Sequence, residues 1–235
     1  MQLTKMFRLI KFSKGDDEVV EIYAVNISSD IHKYEHRLLN RLGRGCRICC
    51  ENIKNKQRRV QFLVGRNLLF YIFNNIIEQK FDNELVYTKS GKPMLVNNPW
   101  NFNIAHSDDW VVCAMSGREV GIDIECANKV SGSKYVKQAS KIFIEKMPSL
   151  DYLSLKEESY FWTFRESYAK MKGLSFEQWI SEDSFITEIS DDVLLNLQNI
   201  FIKEFQCIQG YAITCCSYEE INNNIKMIRL VDLLK

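Results

Sequence analysis

Residues 101–126 restrict the fold more than any other stretch of the chain. The runs NFNIAH, WVVCAM and VGIDIE are parted by Ser107-Asp108-Asp109 and by Ser116-Gly117. Short apolar or alternating runs bounded by such residues read as strands joined by tight turns. In the last run Val120, Ile122 and Ile124 alternate with Gly121, Asp123 and Glu125. Successive strand side chains point to opposite faces, so the three apolar residues can meet a core. Asp123 and Glu125 then share the other face, beside a glycine that removes bulk. Two neighbouring carboxylates repel each other, and that cost needs a cause.

The surrounding chain supplies a frame. Residues 4–12 and 19–26 read as strands around a turn at Gly15-Asp16-Asp17, and 30–57 is polar and basic. Residues 58–79 form a long helix candidate, with Val60, Val64, Leu68, Tyr71, Ile72 and Ile76 on one stripe. LVYTKSGKPML turns at Ser90-Gly91 and leads into the strand series. After a loop through 128–134, residues 135–146 look helical. Ser154-Leu-Lys-Glu157 is a capping box opening a further helix, and Gly173 is its expected stop. Strands follow in SFITEIS, IFIKEFQ, GYAITCC and IKMIRLV. Each half thus offers a helix and a small, mainly antiparallel sheet. The order predicts an α+β protein of two similar lobes, 1–117 and 118–235, the second carrying the acidic pair.

Other classes are disfavoured. The 235 residues are 46% hydrophobic and 26% charged, which permits a packed core. A net charge of +1 gives no global pull toward nucleic acid or membrane. The N-terminus has no apolar segment of the secretory kind, and LLFYIF is far too short to span a bilayer. The eight cysteines lack metal-ligand spacing, Cys46-Arg-Ile-Cys49 being an isolated C-x-x-C. They read as reduced thiols of a cytoplasmic protein.

The helix carrying YFWTFRESYAKMKG accounts for the acidic pair. Phe161, Phe164, Tyr168 and Met171 form its apolar stripe, while Trp162, Glu166 and Lys170, four apart, stack along another face. Glu166 joined to Asp123 and Glu125 gives three carboxylates able to hold a hard divalent cation such as Mg²⁺, with positions left for phosphate oxygens. Lys170 can neutralise one of those oxygens. Taken singly, an acidic strand face is more often a solvated edge, and a Glu–Lys pair a surface ion pair. Their conjunction is the signal.

Gly91-Lys92-Pro93, Phe102-Asn-Ile-Ala-His106-Ser107, Gly121-Ile-Asp123-Ile-Glu125 and Trp162-Thr-Phe-Arg165-Glu166-Ser-Tyr-Ala-Lys170 occur in this order. The ordered set resembles the surfactin-synthetase-activating type of 4′-phosphopantetheinyl transferase over roughly residues 55–215. The resemblance implies two pseudo-symmetric α+β lobes with coenzyme A in the cleft between them. It implies Mg²⁺-dependent transfer of the 4′-phosphopantetheine group from coenzyme A to a serine of an apo acyl or peptidyl carrier protein, the activity of a holo-[acyl-carrier-protein] synthase. Adenosine 3′,5′-bisphosphate is released. Such activity serves fatty-acid, polyketide or non-ribosomal peptide synthesis, and the resemblance implies a monomer; the near-neutral charge points to neither nucleic acid nor membrane as a partner.

By the same resemblance Asp123, Glu125 and Glu166 are the metal ligands, and Glu166 is the candidate base for the serine proton, directly or through a water. Lys170 contacts the diphosphate, and Asp123, Glu166 and Lys170 form the catalytic set. His106 and Ser107 lie at a coenzyme A phosphate, and Lys92 near the adenine and ribose phosphate. Arg59 is the basic residue ahead of Phe62–Arg66, within a basic run from Arg37 to Arg66 that suits a 3′-phosphate or an acidic carrier. Three departures stand out. Arg165 replaces the commoner lysine, Ala105 a serine, and K-G-L-S-F a longer glycine-containing loop. The first 50 residues match poorly.

Overall fold

The computed structural model describes residues 19–27, 30–79, 81, 85–96, 98–130, 157–174 and 199–235. The expected strands at 4–12 and 184–190 and the helix at 135–146 lie outside them, as does most of the capping box. Strands β1 (Val19–Asn26), β4 (Asn101–Ser107), β5 (Trp110–Ser116) and β9 (Glu220–Ile228) form one sheet in the order β4-β5-β1-β9. Strands β6 (Val120–Cys126), β7 (Phe201–Phe205) and β8 (Tyr211–Ser217) form another in the order β6-β8-β7. A short hairpin pairs β2 (Val86–Tyr87) with β3 (Pro93–Met94). The helices are α1 (Ile31–Arg41), α2 (Arg44–Asn52), α3 (Lys56–Asn75) and α4 (Glu158–Lys172), with a 3₁₀ turn at Leu230–Leu234.

Side-chain alternation turns these elements into layers. Tyr23, Val25, Val111, Cys113 and Met115 point to one face of the first sheet, where Val60, Val64, Leu68 and Ile72 of α3 cover them. Val20, Ile22, Ala24, Val112 and Ala114 point to the other, against Val120, Ile122, Ile124, Ile213 and Cys215 of the second sheet. α4 covers the far side of that second sheet, packing on β6 and β8. The order is helix, sheet, sheet, helix: two pseudo-symmetric α+β lobes, each a small sheet on a long helix. Strands such as WVVCAM read as continuous apolar runs because both of their faces are buried.

Several elements differ from the sequence expectation. The basic stretch 30–57 folds into α1 and α2, which bury little beyond Leu38 and Cys50. α3 runs from Lys56 to Asn75, not from 58 to 79, because Asn55 caps it by accepting from the Arg58 N–H at 3.0 Å. α4 begins at Glu158, and Glu157 makes no side-chain cap. Gly173 does stop α4, with φ at +68° in the left-handed region. The first sheet is mixed: β9 pairs with β1 in parallel, and the final apolar residues, Leu230 onward, form the 3₁₀ turn.

The chain crosses between the sheets at 116–120 and again at 217–220. Glu219 ties the crossings together, accepting from Ser116 Oγ at 2.7 Å and from the Gly117 N–H at 3.0 Å. Ser217 Oγ donates to the Glu119 carbonyl at 3.1 Å.

Candidate active site

Gly121 determines how closely β6 and α4 approach. A Cβ built there would stand 1.9 Å from the Ser167 carbonyl oxygen and 2.5 Å from Met171 N. No side chain fits, so α4 lies directly on the strand and Asp123, two residues on, is pressed against the helix. From Ser159 to Met171 every α4 residue is buried except Trp162, Glu166 and Lys170, which are half-exposed. The face read from the four-residue spacing is therefore the single open stripe of an otherwise enclosed helix. Thr163 and Ser167, on the adjoining face, are held by Thr214 Oγ1 at 2.8 Å and Cys216 Sγ at 3.1 Å.

Asp123 is only 3% exposed. Its Oδ1 accepts from Lys170 Nζ at 2.5 Å, and its Oδ2 is buried without a hydrogen-bond partner. Burial raises the Asp123 carboxyl above the usual range, with Glu166 and Glu125 adding repulsion and Lys170 opposing both. Glu125 is raised mainly by burial, with Glu166 adding to it, while Ser107 Oγ donates to its Oε2 at 3.0 Å. Burial works against the Lys170 charge, but Asp123, Glu166 and Glu125 outweigh it and hold the ammonium above its ordinary value. The four charged groups thus act on one another as a cluster.

The fit to a divalent cation is partial. All donors are oxygens, the chemistry a hard cation requires, and Asp123 Oδ2 is an orphan acceptor. Yet among the described residues no three such side chains are grouped tightly enough to hold an ion. Lys170 is instead the cation lodged against Asp123.

The other expected residues are distributed unevenly. Ser107 ends β4 and bridges the lobes, donating to Glu125 and accepting from the Cys126 N–H at 3.1 Å. His106, beside it, is exposed; protein bulk around the ring and the charges of Lys170 and Arg58 lower its affinity for a proton. Lys92 lies in the β2–β3 turn, and its ammonium donates to the carbonyls of Lys170 at 2.7 Å, Val120 at 3.2 Å and Met171 at 3.4 Å. Burial pulls this lysine down to about 8. Arg59 turns toward α2: its carbonyl accepts from Cys50 Sγ and its charge acts on that thiol.

Arg58, part of the basic run but not singled out in the sequence, is the arginine whose charge acts on His106. Gln61, one turn later on the same face of α3, donates to the Asp108 carbonyl at 2.9 Å. Gly65, one turn beyond, lies against Ile104 and Val111. That face looks onto the end of β4, and the Arg58 charge acts on His106 there. The spacing of Arg58, Gln61 and Gly65 was available in the sequence. Choosing between neighbouring arginines needed the helix phase that Asn55 sets.

No protein-family model matches the chain. Curated proteins do. The chain is homologous to the 4′-phosphopantetheinyl transferase gsp of Aneurinibacillus migulanus, 34% identical over 154 residues that make up 60% of each chain. It is 24% identical to the 4′-phosphopantetheinyl transferase Sfp of Bacillus subtilis strain 168, over 92% of this chain and 100% of that one. With psf-1 of Bacillus pumilus, of the same name, it shares 29% identity over 55% of its own length and 56% of the relative's. Among the described residues no helix is long and apolar enough to cross a membrane.

Proposed function

We propose that this chain is a 4′-phosphopantetheinyl transferase of the surfactin-synthetase-activating type, acting in the cytoplasm as a monomer. It moves the 4′-phosphopantetheine group of coenzyme A to a serine of an apo acyl or peptidyl carrier protein. The observation that carries the reading is the open stripe of α4. On a helix otherwise walled in, Glu166 and Lys170 are left accessible opposite Asp123 and its unsatisfied Oδ2. Homology over nearly the whole chain supports the same reaction type.

Asp123, Glu125 and Glu166 would hold Mg²⁺, once an incoming diphosphate draws Lys170 away from Asp123. Bound there, the ion supplies Lewis-acid neutralisation of the diphosphate oxygens. The carrier serine oxygen forms a bond to the β-phosphorus, the one bearing pantetheine. The bond from that phosphorus to the bridging oxygen breaks, and adenosine 3′,5′-bisphosphate leaves with the electron pair. Glu166 takes the serine proton. Lys170, a strong ammonium donor, offsets charge growing on the leaving phosphate. The charges of Lys170 and Arg58 both act at His106, and with that ring as a hydrogen-bond donor they suit a further phosphate of coenzyme A.

The test is incubation with coenzyme A, Mg²⁺ and a panel of apo carrier proteins, followed by intact-mass measurement. A pantetheinyl mass increase on at least one carrier is expected, and Glu166→Gln should abolish it. A folded protein that modifies no carrier refutes the reading. Full transfer by Glu166→Gln refutes the assigned role of that carboxylate.

A further inference from the structure

We propose that Lys92 is a positioning residue that fixes the last turn of α4 against the start of β6. Its ammonium makes three hydrogen bonds, all to backbone carbonyls. Two belong to the end of α4, at Lys170 and Met171, and one to Val120, where β6 begins. Carbonyls in a final helical turn lack intrahelical donors and carry the negative end of the helix dipole, so a partly buried ammonium is well placed there. The Gly173 N–H also reaches the Lys170 carbonyl, at 3.3 Å.

The lysine is presented by a rigid turn. Its N–H donates to Thr88 Oγ1 at 3.0 Å, its carbonyl accepts from the Thr88 N–H at 2.9 Å, and Gly91 takes a φ of +84°. One side chain from the first half of the chain therefore joins the two elements that carry the candidate chemistry. β6 brings Asp123 and Glu125; α4 brings Glu166 and Lys170. Losing this strut loosens the backbone of Lys170 itself, three residues before the helix stop. The motif resemblance places this lysine at the adenine and ribose phosphate of coenzyme A. The hydrogen bonds give the same ammonium an internal task, and the two roles predict different kinetics.

The inference rests on the transferase reading only in its kinetic half. Amide hydrogen exchange of residues 168–174 is measured first on the free protein, wild type against Lys92→Met. Exchange roughly tenfold faster in this segment, with α3 unchanged, is expected. Next, kcat and KM are measured with coenzyme A and with 3′-dephospho-coenzyme A. Lys92→Met should lower kcat tenfold to a hundredfold, the scale set by misplacing reacting groups by about 1 Å. The ratio of the two KM values should match wild type. Lys92→Ala with added propylammonium should regain part of the lost kcat. Lys92→Arg, which keeps charge and donors and guards against misfolding of the other variants, should show α4 exchange nearer wild type. Unchanged exchange overturns the proposal. So does a rise in KM for coenzyme A alone with kcat intact, the mark of a lysine that binds the 3′-phosphate. A wild-type protein inactive on every carrier would sink the transferase reading, yet the exchange comparison would still decide whether Lys92 holds α4.

Discussion

Gly121→Ala adds one methyl group where the structure has no room. The new carbon would lie 1.9 Å from the Ser167 carbonyl oxygen, 2.5 Å from Met171 N and 3.0 Å from Met171 Cα. All three are backbone atoms of α4, so no rotamer change relieves the clash. Carbon and carbonyl oxygen settle at about 3.3 Å, so β6 and α4 must part by more than ~1 Å. Overpacking of this kind costs up to about 3 kcal/mol. For a chain of this size that corresponds to a fall in melting temperature of about 6–12 °C. The separation also lengthens the 2.5 Å Lys170–Asp123 contact and shifts Glu166 relative to Asp123. A displacement near 1 Å at reacting groups costs about a hundredfold in rate. Thermal melts followed by circular dichroism give the stability change, and carrier-modification assays well below the melting temperature give the rate. A variant melting within a degree of wild type, with undiminished transfer, would show that β6 and α4 are not packed as described.

Three further outcomes follow from other parts of the molecule. Arg58→Ala should raise KM for coenzyme A severalfold while Arg59→Ala leaves it near wild type; the reverse order in steady-state kinetics would mean that α3 has been phased wrongly. Asn55→Ala removes the α3 cap and should cost about 1 kcal/mol in urea titrations, and a loss below a few tenths would count against the cap. Asp232 is held well below the usual carboxylate range by hydrogen bonds from Arg229 and Lys235. A depressed carboxylate stabilises the fold above its unfolded value and loses that contribution as pH falls toward its folded value. Asp232→Asn should therefore be less stable than wild type by about 0.5–1 kcal/mol at pH 7. The gap should narrow below about pH 4, where the unfolded carboxyl begins to protonate. A gap independent of pH would contradict that linkage.

What the sequence disclosed depended on whether a signal was local. The alternation in VGIDIE placed Asp123 and Glu125 on one face, and the spacing of Trp162, Glu166 and Lys170 marked the open stripe of α4, because both patterns are set by backbone periodicity. Gly173 announced its left-handed conformation by composition alone. α1 and α2 were hidden because their buried side is thin, Leu38 and Cys50 being its deepest points. The parallel pairing of β9 with β1 spans nearly the whole chain and leaves no periodic trace. Lys92 stood inside a recognisable motif, but the direction of its ammonium depends on which helix end lies across from the turn. Arg58 and Arg59 are adjacent in sequence and face different neighbours, a distinction that periodicity cannot make until the first residue of the helix is known.

The place of β9 bears on how the molecule is made. β1 leaves the ribosome well before its partner, because one of its edges is closed only by residues 220–228, far later in the chain. Until then that edge presents open amide and carbonyl groups to any strand it meets. A fragment ending after β8 would carry the same open border permanently, and soluble expression of the two halves as separate polypeptides should fail for that reason.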